Sequence, residues 1–256
     1  MDINSPENNC RLYLISPPAL EIEKFSQQLK SAFDGGDVGA FQLRLKNTSN
    51  DEILRAAEAL IPICREYDVA FILNDSPELA KKCGADGVHL GQDDFLSSPS
   101  QGEGGERLES SVENPHPSLL PKREKEKKKT LVEIRKLIGN DAVIGVSCHD
   151  SRHLAMEAGE DGADYVAFGA FYPTTSKSAE ALAKYGTPDP DILNWWQAYM
   201  VLPCVAIGGI NPLNCLPLVR AGADFIAVIT AVWNHPESPK KAVEEFNKAI
   251  KDAGNL

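Results

Sequence analysis

The segment Phe171-Tyr172-Pro173-Thr174-Thr175-Ser176-Lys177 places three hydroxyls and an ammonium on consecutive residues, directly after the apolar run over 165–169. Hydroxyls donate to phosphate oxygens and Lys adds a point charge, so the segment reads as a strand emptying into an anion-binding loop. Alone it reads equally well as a polar surface loop. Three further clusters tip the balance. Gln42-Leu43-Arg44-Leu45-Lys46 sets an amide and two cations at alternate positions, which on a strand is one face. An anionic ligand explains two cations on an inward face better than packing does, because isolated buried charge is costly. Asn74-Asp75 and Gly91-Gln92-Asp93-Asp94 each follow an apolar strand-like run. A single Asp there is a helix cap. Asp75 and the Asp93-Asp94 pair on neighbouring strand ends, beside the Asn74 amide, suit Mg²⁺, which takes one or two carboxylates and completes its shell with phosphate and water.

The late part of the chain offers a different kind of anion site. Gly208-Gly209-Ile210-Asn211 and Ile229-Thr230-Ala231 bring backbone N–H groups and a hydroxyl to helix starts, and Ser147 adds another hydroxyl. His89 and His149 also lie near strand ends and are read as hydrogen-bonded structural residues. The chemistry implied is the joining of two substrates, one bearing a diphosphate held by Mg²⁺ and cations, the other a monophosphate held by glycines and hydroxyls.

Positioning such groups requires an alternation of strands and helices, and the hydrophobic pattern supplies it. Strands are expected over 11–16, 38–44, 69–73, 87–90, 142–147, 165–168, 204–207 and 225–229, with helices over 19–33, from 50, 76–84, 130–137, 150–159, 189–199, 211–222 and 239–250. The wholly apolar run 69–73 is what a strand covered on both faces looks like. A helix-end signal recurs as Gly84-Ala85-Asp86, Gly162-Ala163-Asp164 and Gly222-Ala223-Asp224, each just before a strand, marking equivalent turns. Eight repeats predict an α/β fold, a single (β/α)8 TIM-barrel domain over 10–256, in which chemistry gathers at the carboxyl ends of the strands. A doubly wound open sheet more commonly uses fewer strands.

Residues 97–129 break the pattern. Ser, Pro, Gly, Glu and Lys crowd this stretch, which is read as a disordered, low-complexity insertion after strand four whose lysines form a solvated charge run. The 256 residues carry a net charge of -11, which argues against general affinity for nucleic acid or anionic membrane. The six cysteines show no C-x-x-C pair and sit among apolar neighbours, as in a reduced cell interior. With no basic leader and no apolar run approaching a bilayer span, a cytoplasmic protein is expected.

The ordered motifs resemble those of the thiamine-phosphate synthase family: Gln42-Arg44-Lys46, Asn74-Asp75, residues 91–94, Ser147, residues 172–177, Gly208-Gly209-Ile210 and Val228-Ile229-Thr230-Ala231. The resemblance spans nearly all the chain outside 97–129. It implies a transferase, thiamine-phosphate diphosphorylase, that joins 4-amino-2-methyl-5-hydroxymethylpyrimidine diphosphate to a thiazole phosphate and releases diphosphate. Asp75 and Asp94 would hold Mg²⁺. Arg44, Lys46, Asn74, Ser147 and Lys177 would hold the diphosphate, and Gln42 would face the pyrimidine. Thr174, Thr175, Ser176, Gly209, Ile229 and Thr230 would bind the thiazole phosphate. Two rival readings remain, a thiazole tautomerase on the same barrel, which would have no use for the full cation set, and a non-catalytic phosphate-ligand-binding barrel. Oligomeric state is left open.

Overall fold

The computed structural model describes residues 10–91, 95–96, 129–174 and 186–253. Eight parallel strands close into a barrel: β1 (Arg11–Ile15), β2 (Val38–Leu43), β3 (Ala70–Asn74), β4 (Gly87–Leu90), β5 (Val143–His149), β6 (Tyr165–Phe168), β7 (Cys204–Ile207) and β8 (Phe225–Val228). Each pairs with its neighbours in sequence, and β8 pairs with β1 to complete the ring. The intervening helices are α1 (Ile22–Phe33), α2 (Asn50–Glu66), α3 (Pro77–Cys83), α4 (Leu131–Ile138), α5 (Arg152–Glu160), α6 (Asp191–Tyr199), α7 (Leu216–Arg220), α8 (Thr230–Trp233) and α9 (Pro239–Ala253). None of them is long and apolar enough to cross a membrane.

Alternation along the strands divides the core into two layers. Tyr13, Ile15, Ala40, Ile72, Tyr165, Ala167, Val205 and Ala227 point into the barrel. Phe41, Phe71 and Phe168 point outward and meet Phe25, Trp196 and Phe246 from the helices, all of them buried. Helix starts follow side-chain chemistry. Ser49 and Glu52 form a reciprocal capping box on α2, Thr130 and Glu133 do the same on α4, and Ser151 caps α5.

The repeated Gly-Ala-Asp signal has a single structural explanation. In each copy the Asp backbone N–H donates to a carbonyl at the start of the preceding strand, while its carboxylate accepts that residue's N–H. Asp86 does this to Phe71 (2.9 and 2.7 Å), Asp164 to Ile144 (2.7 and 2.7 Å) and Asp224 to Cys204 (3.0 and 2.8 Å). The carboxylate thereby satisfies a strand-start N–H that the ladder leaves over.

Several expected boundaries move. The helix expected from 19 begins at Ile22, after the turn that follows Pro17-Pro18. The one expected over 211–222 shortens to Leu216–Arg220, because Asn211 Oδ1 accepts from Leu213 N (2.9 Å) and Asn214 Oδ1 from Asn211 N (2.7 Å), so side chains take over backbone bonding at its start. Strand β5 runs on to His149, which puts Ser147 inside it, and Ile229 leaves β8 to open the short helix α8. Of the segment read as an insertion, residues 97–128 lie outside the described residues. Its last residue, Lys129, is ordered: Lys129 and Thr130 pair in parallel with Phe95 and Leu96, and Lys129 forms an ion pair with Glu78 of α3. All six cysteines are free, and burial raises their thiol pKa values.

Asp224→Ala strands the Cys204 N–H and takes one acceptor from the Gln197 amide, which bonds this carboxylate at 2.8 Å and keeps Gly222 O at 2.7 Å. The expected cost is about 1–3 kcal/mol, read as a lowered urea midpoint at unchanged m-value.

Candidate active site

The strand carboxyl ends surround a cavity of about 390 Å³. Its early-strand side carries Gln42, Arg44, Asn74 and Asp75, and its late-strand side Gly208, Gly209, Ile229 and Thr230, with Ser147, His149 and Thr174 between them. Nine residues named from the sequence therefore meet here: Gln42, Arg44, Asn74, Asp75, Ser147, Thr174, Gly209, Ile229 and Thr230. Lys46 lies beyond the end of β2, exposed and outside the lining, yet its ammonium still feels the site: the Arg44 charge, then partial burial, holds its pKa below the usual value, with Asp75 opposing. Asp94, Thr175, Ser176 and Lys177 lie outside the described residues.

The exit of β1 aims the first cation. Ser16, almost fully buried, accepts the Arg44 backbone N–H at 2.8 Å and gives its own N–H to Gln42 O at 2.9 Å, while Lys46 N bonds Pro18 O at 2.9 Å. Among the described residues neither Arg44 nor Lys46 takes part in an ion pair. Two neighbouring cations outside any ion pair among the described residues, one of them lining a cavity, are what a polyanion requires.

At the end of β3 the helix cap and the carboxylate are separate residues. Ser76 caps α3, its side chain accepting from Leu79 N at 3.3 Å. Asp75 is therefore not the cap. It sits in the left-handed region (φ 69°), tied down through its N–H to His89 O at 2.9 Å, and it lines the cavity. A left-handed non-glycine residue costs free energy that the surrounding bonds must offset, and such residues gather at functional sites. The donor set fits Mg²⁺ on one side: a carboxylate with an amide beside it, open to phosphate and water. No group of three or more His, Cys, Asp or Glu residues among those described forms a protein-only metal site.

Across the mouth, Gly208 and Gly209 both have positive φ (106° and 65°). The space a Cβ would need is filled by Ala170 at Gly208 and by Tyr172 and Pro173 at Gly209, so these glycines let the loop after β6 lie directly on the loop after β7.

Beneath the mouth runs a polar chain that sequence reasoning missed. Gln42 Nε2 donates to Tyr13 Oη (3.3 Å), Tyr13 Oη bonds Tyr165 Oη (2.8 Å), Tyr165 Oη bonds His89 Nδ1 (2.9 Å), and His89 Nε2 bonds Ser147 Oγ (2.9 Å). Burial, and secondarily Arg44, pushes the His89 pKa down to about 4, so the imidazole is neutral at pH 7. Burial raises both tyrosine pKa values as well. Gly145 makes room for the chain, since a Cβ there would overlap the Tyr165 ring. The signal was present in the alternation: Tyr13 with Ile15, and Tyr165 with Ala167, share the inward face, where a phenol must find a partner.

A closed parallel barrel with a cationic early rim and a glycine and hydroxyl late rim defines a barrel enzyme acting on phosphorylated small molecules. The sequence profile described as thiamine monophosphate synthase matches residues 12–99 and 125–232. The thiamine-phosphate synthase of Rhodospirillum centenum is 49% identical over 243 residues, covering 95% of this chain and 99% of that protein. That of Hyphomonas neptunium is 41% identical, covering 96% of each. Among solved structures, thiamine phosphate pyrophosphorylase from Pyrococcus furiosus superposes with a TM-score of 0.71 at 28% identity, covering 96% of this chain and 98% of that one. The chain belongs to the thiamine monophosphate synthase family.

Gly145→Ala forces the Tyr165 ring to move. The expected outcome is a loss of about 1–3 kcal/mol in urea unfolding, the usual cost of an extra methyl group in a filled core.

Proposed function

We propose that this chain is a thiamine-phosphate synthase, joining a pyrimidinylmethyl diphosphate to a thiazole phosphate in the cytoplasm. The observation that carries the reading is the pair Arg44 and Lys46, outside any ion pair among the described residues: Arg44 lines the cavity with Asp75, and Lys46 stands beyond the lining but near enough for both charges to act on its ammonium. Family membership supports the same reaction. A tautomerase would have no use for the full set of Arg44, Lys46, Asp75, Asp94 and Lys177.

In this reading Arg44, Lys46, Asn74 and Ser147 bind the leaving diphosphate, Gln42 faces the pyrimidine ring, and Thr174, Gly209, Ile229 and Thr230 hold the thiazole phosphate. Lys177 joins the first set and Thr175 and Ser176 the second on the sequence alone. The methylene C–O bond breaks with its electron pair leaving on the diphosphate, and the thiazole nitrogen lone pair forms the new C–N bond to the pyrimidine-stabilised carbocation. No protein nucleophile is required; the side chains orient the two substrates and compensate charge that grows on the leaving oxygens. Asp75, with Asp94, would hold Mg²⁺, which supplies further positive charge at that diphosphate.

The organisation proposed is one barrel domain over 10–256 with 97–129 as an insertion. Support comes from its base, where Phe95-Leu96 and Lys129-Thr130 pair and bring the two ends together.

Purified protein given both substrates and Mg²⁺ should form thiamine phosphate and release diphosphate; absence of product overturns the reading. Lys177→Ala should lower kcat/KM by roughly a hundredfold or more, the scale of one group at a developing charge, whereas near-normal turnover removes it from the mechanism. Asp75→Ala should remove activity and Mg²⁺ dependence together, while retained Mg²⁺-stimulated turnover would leave Asp75 only a turn residue. Excision of residues 97–128 should preserve folding and turnover, since loop length alters closure entropy only slowly.

A further inference from the structure

The buried chain from Gln42 to Ser147 has a direction. Its hydroxyls and imidazole can each both donate and accept, but Gln42 presents an amide N–H to Tyr13, which must therefore accept. Among the described residues Tyr13 has one remaining partner, Tyr165, and its own proton goes there. Tyr165 in turn gives its proton to His89 Nδ1, which places the imidazole proton on Nε2, facing Ser147 Oγ. Ser147 then accepts from His89, and its own O–H is left for the cavity it lines. In the opposite direction Tyr13 would accept from both Gln42 and Tyr165, leaving a phenolic proton without an acceptor inside the barrel. An unsatisfied buried donor costs about 1–3 kcal/mol, which is enough to select one direction.

We propose that Tyr13, Tyr165 and His89 are positioning residues that pass the donor sense of the Gln42 amide across the barrel, so that Ser147 always presents its hydroxyl proton to the diphosphate. The inference rests on the assignment of Ser147 to the diphosphate. An anionic oxygen accepts and never donates, so a serine whose proton pointed inward to His89 would turn lone pairs towards it. The relay spans from the pyrimidine-facing amide to the diphosphate-facing hydroxyl. It therefore also couples the two halves of one substrate: a ring that reversed the Gln42 amide, setting Oε1 against Tyr13, would reverse every bond and withdraw the Ser147 proton.

The test is nitrogen NMR of protein labelled with ¹⁵N-histidine, with Mg²⁺ and inorganic diphosphate bound. The His89 signal, one of five histidines, is assigned by its loss in His89→Gln. The relay requires the proton on Nε2 in the wild type and a mixture of tautomers in Tyr165→Phe. Kinetically, Tyr165→Phe should lower kcat/KM for the pyrimidine diphosphate roughly tenfold, the worth of one hydrogen bond, and leave KM for the thiazole phosphate unchanged. A proton on Nδ1 in the wild type, or wild-type kinetics in a folded Tyr165→Phe protein, overturns the proposal; should that variant not fold, the wild-type tautomer decides. Ser147→Ala separates the two levels: unchanged diphosphate affinity removes Ser147 from the site whatever the tautomer, whereas weakened affinity with the proton on Nδ1 keeps the site and ends the relay.

Discussion

A parallel barrel closed on itself encloses a space that water does not fill, and every polar group pointing into it must be satisfied by another. This constraint organises the molecule. At the amino-terminal pole the strand-start N–H groups of Phe71, Ile144 and Cys204 are met by the carboxylates of Asp86, Asp164 and Asp224. In the middle, Tyr13, Tyr165, Gln42 and His89 satisfy one another across five strands when Ser147 is included. At the carboxyl-terminal rim polar groups line a cavity, and there nine residues of the candidate site gather.

Among the described residues the two cations of that rim enter no ion pair. Arg44 lowers the pKa of Lys46 and, secondarily, that of His89, so the early side of the mouth is electropositive in a protein whose net charge is -11. Holding like charges together costs free energy in the empty site and returns it when an anion binds, a form of preorganisation for a leaving group that gains charge. Labour is divided between Ser76, which caps α3, and Asp75, which adopts a left-handed conformation and lines the cavity with Arg44. The same fold thus sets cations and a carboxylate side by side at one rim.

Much of this could be read from residue order. Hydrophobic alternation, the Gly-Ala-Asp repeats and Ser or Thr at helix starts specify eight strand and helix units, because these are local properties of backbone and side chain. Polar residues at strand ends were legible as site candidates for the same reason: once a barrel is assumed, position along a strand translates directly into position at the rim. What escaped notice lay inside strands. Tyr13 and Tyr165 look like ordinary aromatic core residues, and His89 like a satisfied lone histidine, until β1, β4 and β6 face each other. The shortening of α7 and the opening of α8 at Thr230 also depended on bonds made by Asn211, Asn214 and Ile229 that periodicity does not register.

By itself, then, the chain of residues determined the repeating units, the rim at which chemistry is concentrated and the types of groups available there. Tertiary structure alone decided which of those groups converge on one cavity, that Lys46 stands outside its lining, and that Asp75 is released from capping. It also decided that a glycine at 145 admits the Tyr165 ring to a bridge between Gln42 and Ser147. The reason is physical: strand propensity and rim position are local, whereas a hydrogen bond between residues 13 and 165, 152 positions apart, exists only once the barrel has closed.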